Sequence, residues 1–398
     1  MTREVAITGL GLVTALGEGE AAHWAALAEP GVKLGWTDAE SFPPYVIHPI
    51  RDLDLSRTIP KKGDQRAMGP YMHYGVHAAG LALEDAKIAG NADLLARTHI
   101  IVGGGGGERD TAADEKVLVG LKTAANPGAF LNETLQTELR PTLFLAQLPN
   151  LFAGNIAIVH GVTGSSRTFM GEEMAGVDAV RIAFERIQAG QGDLFLVGAA
   201  HSASRLDLAT LYPLAGFVAK APLKSLWARE KAGMALGSVG AFLVIESRAH
   251  AEMRCAAPIA WLRDVRADHS SRKPGTATRA ALDLWNSLKP KVKPGPLAVL
   301  SGACGSGPVT REELAFLQSL DHEYALRGTG AALGHGMEAA FVANLVLATI
   351  AARKKRLFPP LDSEPSRERP LDAAVTQFLI SQWGHHRGEA MGLIEAVE

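Results

Sequence analysis

Two glycine-containing motifs are the first features of this sequence that suggest chemistry. Gly9-Leu10-Gly11 could begin a dinucleotide-binding fingerprint, but the position that should hold its third glycine is Thr14. The run from Gly103 to Gly107 could surround a phosphate, yet no Lys-Ser or Lys-Thr pair follows it as in a P-loop. We therefore interpret Gly9 and Gly11 as part of a turn after a strand, and Gly103 to Gly107 as a place of close backbone packing.

Cysteine and histidine offer few candidates for a nucleophile or a metal site. The segment Gly302 to Gly307 reads GACGSG, which does not match the Gly-x-Ser-x-Gly nucleophile elbow. We interpret Cys304 in this segment as a small buried thiol, and a relocated nucleophile at this position stays open as an alternative. His385-His386 has no carboxylate or thiolate at metal-ligand spacing, so we predict neither a metal site nor a cofactor.

The composition of the 398 residues excludes several classes of partner. Forty Lys and Arg residues balance 42 Asp and Glu residues, so no strong field draws the chain to nucleic acid or to an anionic membrane. Two cysteines cannot form a disulfide framework, which favours a reducing cytosol. The apolar run Ala339 to Ala352 is shorter than the ~20 residues of a membrane-spanning helix and predicts a buried core helix. Glu4 and the glycines that follow it argue against a signal peptide, so we predict a cytoplasmic protein.

Apolar strands that alternate with amphipathic helices must position any site in this chain. We predict helices over Gly69 to Ile88 and Met174 to Gln188, and a largely parallel sheet covered by helices. The predicted strands are Val5 to Leu10, His99 to Val102, Leu194 to Gly198, Val239 to Ile245 and Leu297 to Leu300. Both halves of the chain open on an apolar strand and reach an alanine-rich helix after a glycine-rich turn, which indicates a duplicated α/β unit with a join around Ser247 to Pro258.

Read together, these segments resemble the elongating type of β-ketoacyl-acyl-carrier-protein synthase. The resemblance covers essentially the whole chain and implies an α/β, thiolase-like fold of five αβαβα layers, built from two duplicated halves at residues 1–250 and 251–398. It is carried by VAITGLGLVTALG near the N-terminus, by KKGDQRAM, YGVHAAG and ALEDA between Thr58 and Ala86, by Asn155 to Asp193, and by Gly233 to Glu246, Ser301 to Pro308 and Arg327 to Phe341.

The same resemblance implies that the family's catalytic positions are substituted here. The nucleophilic Cys at the start of the central helix corresponds to Glu173, and the two His residues that bind the malonyl thioester correspond to Ala303 and Thr329. A carboxylate at a helix N-terminus is stabilised in its charged form, so Glu173 should have a lowered pKa and be a poor acid and a poor acyl acceptor. His335, between two glycines, is expected to pack or to line the pocket.

Loss of these groups on an intact scaffold resembles the chain-length factors of the family. The implied function is a non-condensing homologue of 3-oxoacyl-[acyl-carrier-protein] synthase that pairs with an active synthase, or with itself, and tunes the acyl length. Chain-length factors typically hold Gln, not Glu, at the Cys position, and PKKGDQRAM is similar to synthase-like proteins of bacterial very-long-chain fatty-acid clusters. The alternatives are a malonyl-carrier decarboxylase and a condensing enzyme with a site rebuilt around Cys304 or the C-terminal histidines.

Two surfaces follow from the resemblance. The family's segment across the dimer interface corresponds to Gly107 to Leu151, where Phe130, Leu131 and Phe144 are predicted to line a partner's acyl channel; an ordinary buried dimer interface is the alternative. His385 falls at the family's C-terminal gate and is assigned to the same tunnel.

The second surface is basic. Carrier proteins present acidic helices, so Lys61, Lys62 and Arg66 are candidates for docking an acyl carrier protein. The cations at 353–356 are interpreted as stabilising the end of a helix.

Overall fold

The computed structural model describes residues 3–29, 37–107, 109–139, 147–362 and 367–398. Thirteen strands lie within these residues: β1 Val5–Thr14, β2 Gly17–Glu18, β3 Ile47–His48, β4 His99–Gly104, β5 Ser166–Phe169, β6 Leu194–His201, β7 Leu236–Gly237, β8 Val239–Ser247, β9 Ala260–Ser271, β10 Leu297–Ser301, β11 Tyr324–Gly328, β12 Gln377–Trp383 and β13 Arg387–Ala396. Each strand predicted from the sequence is confirmed and continues further than predicted.

Fourteen α-helices are found in the same residues: α1 Gly19–Ala28, α2 Lys62–Ala67, α3 Pro70–Asp85, α4 Ala92–Arg97, α5 Thr111–Gly120, α6 Pro127–Glu138, α7 Asn150–His160, α8 Glu173–Gln188, α9 Leu206–Leu214, α10 Arg248–Met253, α11 Thr276–Leu288, α12 Gly307–Gln318, α13 Gly330–Leu333 and α14 Ala340–Lys354. Short 3₁₀ helices occupy Leu55–Arg57, Leu226–Ala228, Lys289–Lys291 and Met337–Ala339. The two predicted helices correspond to α3 and α8.

The strands repeat one topology in the two halves of the chain. In space the first half runs β5-β4-β6-β8-β1 and the second half runs β11-β10-β12-β13-β9, which is the same order when these five strands of each half are numbered along the chain. The duplication is therefore confirmed. The halves join where Val5 to Ile7 of β1 pair antiparallel with Ala260 to Leu262 of β9.

The expectation of a largely parallel sheet is wrong. In each half, three strands pair in parallel (β5-β4-β6 and β11-β10-β12), the fourth strand (β8 or β13) runs antiparallel to them, and the fifth (β1 or β9) pairs antiparallel with the fourth. The reason is visible in the second half, where three residues, Gly384 to His386, join β12 to β13. A connection this short can join only antiparallel strands, because a parallel crossover needs a dozen residues or more.

Helices form three layers around the two halves of the sheet. Helices α8 and α14 contact each other in the middle, where α8 packs on β4, β6 and β9 and α14 packs on β8, β12 and β13. Helices α3 and α7 cover the outer face of the first half, and α11 and α12 cover that of the second. This is the five-layered arrangement expected for a thiolase-type fold. The central α14 is buried from Ala340 to Ala352, as predicted for a core helix.

Close approach of helices explains the glycines that the sequence left ambiguous. Gly9 and Gly11 lie inside β1, not in a turn, and a Cβ atom at Gly11 would stand 1.9 Å from the carbonyl oxygen of Ala78 in α3. A Cβ atom at Gly103 would stand 2.7 Å from the backbone nitrogen of Gly176 in α8, which confirms the close packing predicted there. No helix of the described ranges is long and apolar enough to cross a membrane.

Candidate functional site

The central helix α8 begins with a buried carboxylate. Between β5 and α8 the chain turns through Gly171, with a φ of +131°, and Glu172, with a φ of +55°. A left-handed conformation is costly for a residue with a Cβ atom, and such strain is concentrated at functional sites. The turn leaves Glu173, the first residue of α8, only 1% exposed.

Packing on two sides fixes the position of Glu173. A stripe of apolar residues holds α8 in the core: Met174, Val177, Val180, Phe184 and Ile187 are all buried. On another face of the helix, a Cβ atom at Gly176 would lie 1.9 Å from the backbone oxygen of Glu338. The first turn of α8 is therefore wedged between β4 and the 3₁₀ segment Met337–Ala339, with little freedom to shift.

Three hydrogen bonds converge on one oxygen of Glu173. His335 Nε2 lies 2.8 Å from Oε1, and His385 Nδ1 lies 2.9 Å from the same atom. The backbone N–H of His385 donates the third bond, also at 2.9 Å. Both histidines are almost fully buried, so solvent does not compete for these contacts.

The backbone of His335 is anchored independently of Glu173. Its N–H donates to the Ala235 carbonyl at 2.7 Å, and its carbonyl accepts from the Gly237 N–H at 2.9 Å, so it forms a parallel bridge beside β7. Gly334, with a φ of +71°, allows the chain to leave α13 and reach this bridge.

His385 is held by the hairpin between β12 and β13. Arg272 Nε donates to the Gly384 carbonyl at 3.0 Å, and Arg272 Nη2 donates to the Gly388 carbonyl at 2.9 Å. The imidazole stands edge-on to Phe217 and Tyr212, with ring centroids 5.2 and 5.6 Å away. The ring of His385 is directed to Glu173. The tunnel role expected for His385 remains a prediction. His386, the next residue, is exposed.

The charges of the site stabilise each other. Burial by itself would raise the pKa of Glu173, but the charge of His385 and the hydrogen bonds from His335 and His385 outweigh it and hold this pKa well below its usual range. Burial would lower the pKa of His385, and the Glu173 carboxylate raises it instead. The lowered pKa expected for Glu173 is confirmed, although its main cause is the imidazole pair and not the helix terminus.

A second carboxylate borders this cluster. Glu172 Oε1 lies 3.4 Å from the Tyr212 hydroxyl and 3.6 Å from His385 Nε2. Among the described residues, Glu172, Glu173 and His385 bring one potential metal-ligand atom each within 4.8 Å of one another. Sequence spacing did not reveal this group, because its carboxylates lie more than 200 residues from His385. Hydrogen bonds from both histidines already satisfy Glu173 Oε1 without an ion.

The two positions matched to the family's histidines take part in scaffold contacts. The Ala303 N–H donates to Ser301 Oγ at 3.0 Å, and Thr329 Oγ1 donates to Asn344 Oδ1 at 2.6 Å. Thr329 and His335 line one cavity of about 10 Å³, which has room for a single water molecule at most. The imidazoles that reach Glu173 are thus His335 and His385, and the flanking glycines at 334, 336 and 384 were the sequence signal for their close approach.

Cys304 is a buried thiol, as predicted. It is 2% exposed, and burial, together with the charge of Glu173, raises its pKa to about 12. A thiol with such a pKa holds almost no thiolate at neutral pH and is a weak nucleophile.

Comparison with known proteins identifies the family. The family model described as "Beta-ketoacyl synthase, N-terminal domain" matches residues 2–251. The chain belongs to the β-ketoacyl synthase family. It is similar to 3-oxoacyl-[acyl-carrier-protein] synthase 2 of Vibrio cholerae, with 26% identity over 64% of this chain and 60% of that protein. The chain thus spans about 60% of the length of the first curated relatives that it matches. With the synthase 2 of Coxiella burnetii it shares 24% identity over 91% of this chain and 89% of the relative.

Solved β-ketoacyl synthase structures share the fold over the whole chain. The ishigamide ketosynthase/chain length factor matches with a TM-score of 0.81 and 19% identity, covering 100% of both chains. A β-ketoacyl synthase from Burkholderia phymatum matches with a TM-score of 0.80, 19% identity and the same coverage. A type II polyketide synthase acyl-carrier protein in complex with its ketosynthase matches with a TM-score of 0.73, again with 19% identity and full coverage of both chains. These likenesses establish the fold.

Of the residues predicted to contact an acyl channel, Phe130 and Leu131 lie on α6, which packs against α5. The Phe130 ring of α6 packs on Gly120 of α5, since a Cβ atom on that glycine would stand 2.1 Å from the ring. Leu131 is 36% exposed, and Phe144 lies outside the described residues.

The basic candidates divide into two groups. Lys61, Lys62 and Arg66 are exposed at and within α2, a short helix of their own before α3. Arg353 pairs with Glu20 and Asp85, and Lys354 pairs with Glu20 at 3.2 Å, so these two cations have partners within the chain. That pairing agrees with the stabilising role expected at the end of α14.

Proposed function

We propose that this chain is a non-condensing β-ketoacyl synthase subunit that pairs with a catalytically competent synthase and sets the length of the acyl chain. The observation that carries the proposal is the state of Glu173. A condensing enzyme needs a nucleophile at the start of α8 that can accept an acyl group and release it. Glu173 is instead a charged carboxylate whose contacting oxygen already accepts three hydrogen bonds.

A carboxylate in this setting is a poor acyl acceptor for two reasons. Its lowered pKa makes it a weak nucleophile, and an acyl group on it would form a mixed anhydride, which hydrolyses readily. Acylation would also remove the negative charge of the oxygen to which both buried imidazoles donate hydrogen bonds. The second thiol in the chain, Cys255, is exposed on the surface at the end of α10, and Cys304 is held as a neutral thiol.

The β5 edge of the sheet supports pairing with a second subunit. Among the described residues, β5 pairs only with β4, so its outer edge offers unpaired backbone groups. Beside that edge, Met170 is 58% exposed, and Ile158 on α7, which packs on β5, is 70% exposed. Large apolar side chains next to a free strand edge suit continuation of the sheet into a partner of the same fold.

The α5 and α6 helices support a role in acyl length. Leu118, Val119, Leu131 and Leu135 on these helices are all more than a third exposed, although they are apolar. An apolar surface of this kind can line a partner's acyl channel by contact alone, without any reactive group. We further propose that the exposed cations of α2 contact an acyl carrier protein, as the similarity to a ketosynthase solved with its carrier protein suggests.

Coexpression with a competent β-ketoacyl synthase from the same organism tests the proposal. We expect a stable heterodimer in which Leu131→Trp shortens the acyl product and Leu131→Ala lengthens it. Leu282→Trp on α11 is the matched control, because Leu282 is also exposed (39%) but lies on the outer layer of the other half. Failure to copurify with any synthase, or an identical product profile for all three variants, would refute the proposal.

The runner-up function is a malonyl-carrier decarboxylase, or a condensing enzyme with a rearranged site. The observation in its favour is the pair of buried imidazoles at the start of α8, since two such donors could stabilise an oxyanion. Carbon dioxide release from malonyl-carrier protein by the purified chain separates the functions. No release above background is expected; release that disappears in Glu173→Ala would replace the proposal with this alternative.

A further inference from the structure

We infer that His335 and His385 form a preformed carboxylate-binding pocket, which the chain fills with its own Glu173. Two imidazole groups and one backbone N–H lie 2.8 to 2.9 Å from a single oxygen in a site that excludes solvent. This inference rests on the proposed function in one respect. In a non-condensing subunit the two imidazoles have no catalytic role, and binding of the Glu173 carboxylate explains why they are retained.

The backbone segments that carry the donors are anchored by contacts that do not involve the carboxylate. The His335 backbone is fixed by its bridge to β7, and the His385 backbone is fixed by the turn that Arg272 clamps from outside the site. Phe217 and Tyr212 restrict the ring of His385 from the side. Removal of the Glu173 side chain should therefore leave a pocket whose donors still point at the vacated space.

The pocket suits an anion with a short apolar stem. Its donors include an imidazole that gains charge beside Glu173, and the stem of Glu173 lies in the first turn of a tightly packed helix. Gly384 leaves room next to the second oxygen, because a Cβ atom there would stand 3.2 Å from Glu173 Oε2. Small monocarboxylates match these features better than phosphate or sulfate, which carry more charge and more oxygens than the donors can satisfy.

Two substitutions of Glu173 remove side-chain fragments of different lengths, and each fragment corresponds to a different small carboxylate. Glu173→Ala removes one methylene and the carboxylate, which together correspond to acetate. Glu173→Gly removes one carbon more, which corresponds to propionate. If the pocket is preformed, acetate should rescue the first variant best, and propionate should rescue the second best.

The experiment measures the thermal midpoint of each purified full-length variant against acetate, propionate and chloride at equal ionic strength. We expect a saturable rise of about 2–4 °C for the matched carboxylate, with chloride and the mismatched carboxylate giving less. Wild type should show no saturable response, since its pocket is full. The same midpoint response for all anions, or no response in either variant, would overturn the inference.

Two controls separate the pocket from general effects of carboxylates. Glu313→Ala vacates another fully buried carboxylate that is held by serine hydroxyls, and acetate should not restore it. The double variant Glu173→Ala/His385→Ala removes the imidazole of His385, which is one of the three contacts to the carboxylate oxygen, and should weaken the response to acetate. Rescue of the Glu313 variant to the same extent would show that any buried gap binds acetate, and the inference would fall.

A second measurement, on wild type and Glu173→Gln, tests the inference if Glu173→Ala and Glu173→Gly do not fold. In wild type, histidine ¹⁵N spectra should show protons on His335 Nε2 and His385 Nδ1 that exchange slowly with solvent, and Glu173→Gln, which keeps the volume, should shift both signals. Fast exchange at both sites in wild type would contradict the pocket. Neither readout needs a partner synthase or a carrier protein, so the inference and the proposed function can fail separately.

Discussion

Two fully buried carboxylates, Glu173 and Glu313, differ in the groups that surround them. Glu173 accepts from two imidazoles and a backbone N–H, whereas Glu313 on α12 accepts from the hydroxyls of Ser301, at 2.8 Å, and Ser381, at 2.7 Å. Burial raises the pKa of Glu313 to about 7, and the hydroxyls offset this only in part; the pKa of Glu173 is held well below its usual range. Equal burial therefore accompanies pKa shifts of opposite direction, and only Glu173 accepts hydrogen bonds from imidazoles.

The largest effect is expected from removing the charge of Glu173. Glu173→Ala leaves two buried imidazoles without their partner and should lower the free energy of unfolding by about 3–5 kcal/mol. Glu173→Gln keeps the volume and should cost less than Glu173→Ala. Urea unfolding at neutral pH measures both. A loss below about 1 kcal/mol for Glu173→Ala would mean that the cluster does not stabilise the fold.

The pH dependence of stability should separate the two carboxylates. The folded pKa of Glu313 is about 7 against a usual 4.5, so its contribution is fully present below pH 4.5 and is lost as the pH rises toward 7, by about 3 kcal/mol. Glu173 has the opposite sign, since its contribution is present above pH 4.5 and is lost as the pH falls through its folded pKa. Urea midpoints from pH 4 to 8 should show the loss toward pH 7 disappear in Glu313→Gln and persist in Glu173→Gln. Equal pH profiles for the two variants would contradict the assignment.

A smaller effect is expected from changing Arg272, which holds the turn that positions His385. Arg272→Lys keeps the charge but loses the planar fork that reaches two carbonyls and Glu389, and should cost about 2 kcal/mol. Amide exchange should accelerate at Gly384 to Gly388 and remain unchanged around Glu313. Exchange that accelerates at both places would show that the two carboxylate sites are not independent.

The smallest effect on stability is expected far from both carboxylates. Lys61→Glu with Lys62→Glu changes two exposed side chains and should alter the free energy of unfolding by less than about 0.5 kcal/mol. The same variant should bind an acyl carrier protein more weakly, and its binding should depend less on salt. Binding equal to wild type across a salt series would remove α2 from the docking surface.

The sequence predicted the fold better than it predicted the site. The apolar strands and the amphipathic stripe of α8 are local patterns, and each was found where it was expected. The antiparallel strands were missed because the direction of a strand depends on the connection that precedes it, which composition does not reveal. The cluster around Glu173 was missed for a similar reason: His335 and His385 lie 162 and 212 positions away along the chain, and only the fold brings them together.

Ala303 and Thr329 show the limit of positional matching. Both lie in buried turns of the second half, yet the groups that bond Glu173 come from neighbouring loops. A match along the sequence names a position, whereas the direction of a side chain depends on local backbone geometry such as the glycines around His335.

The strand β1 has a consequence for how this chain unfolds. One edge of β1 pairs with β8 and the other pairs with β9, so one continuous sheet runs through both duplicated halves. Neither half can leave the sheet without breaking hydrogen bonds in the centre of the molecule. The chain should therefore melt in a single calorimetric transition, and a cut in the backbone between β8 and β9 should leave two fragments that remain associated.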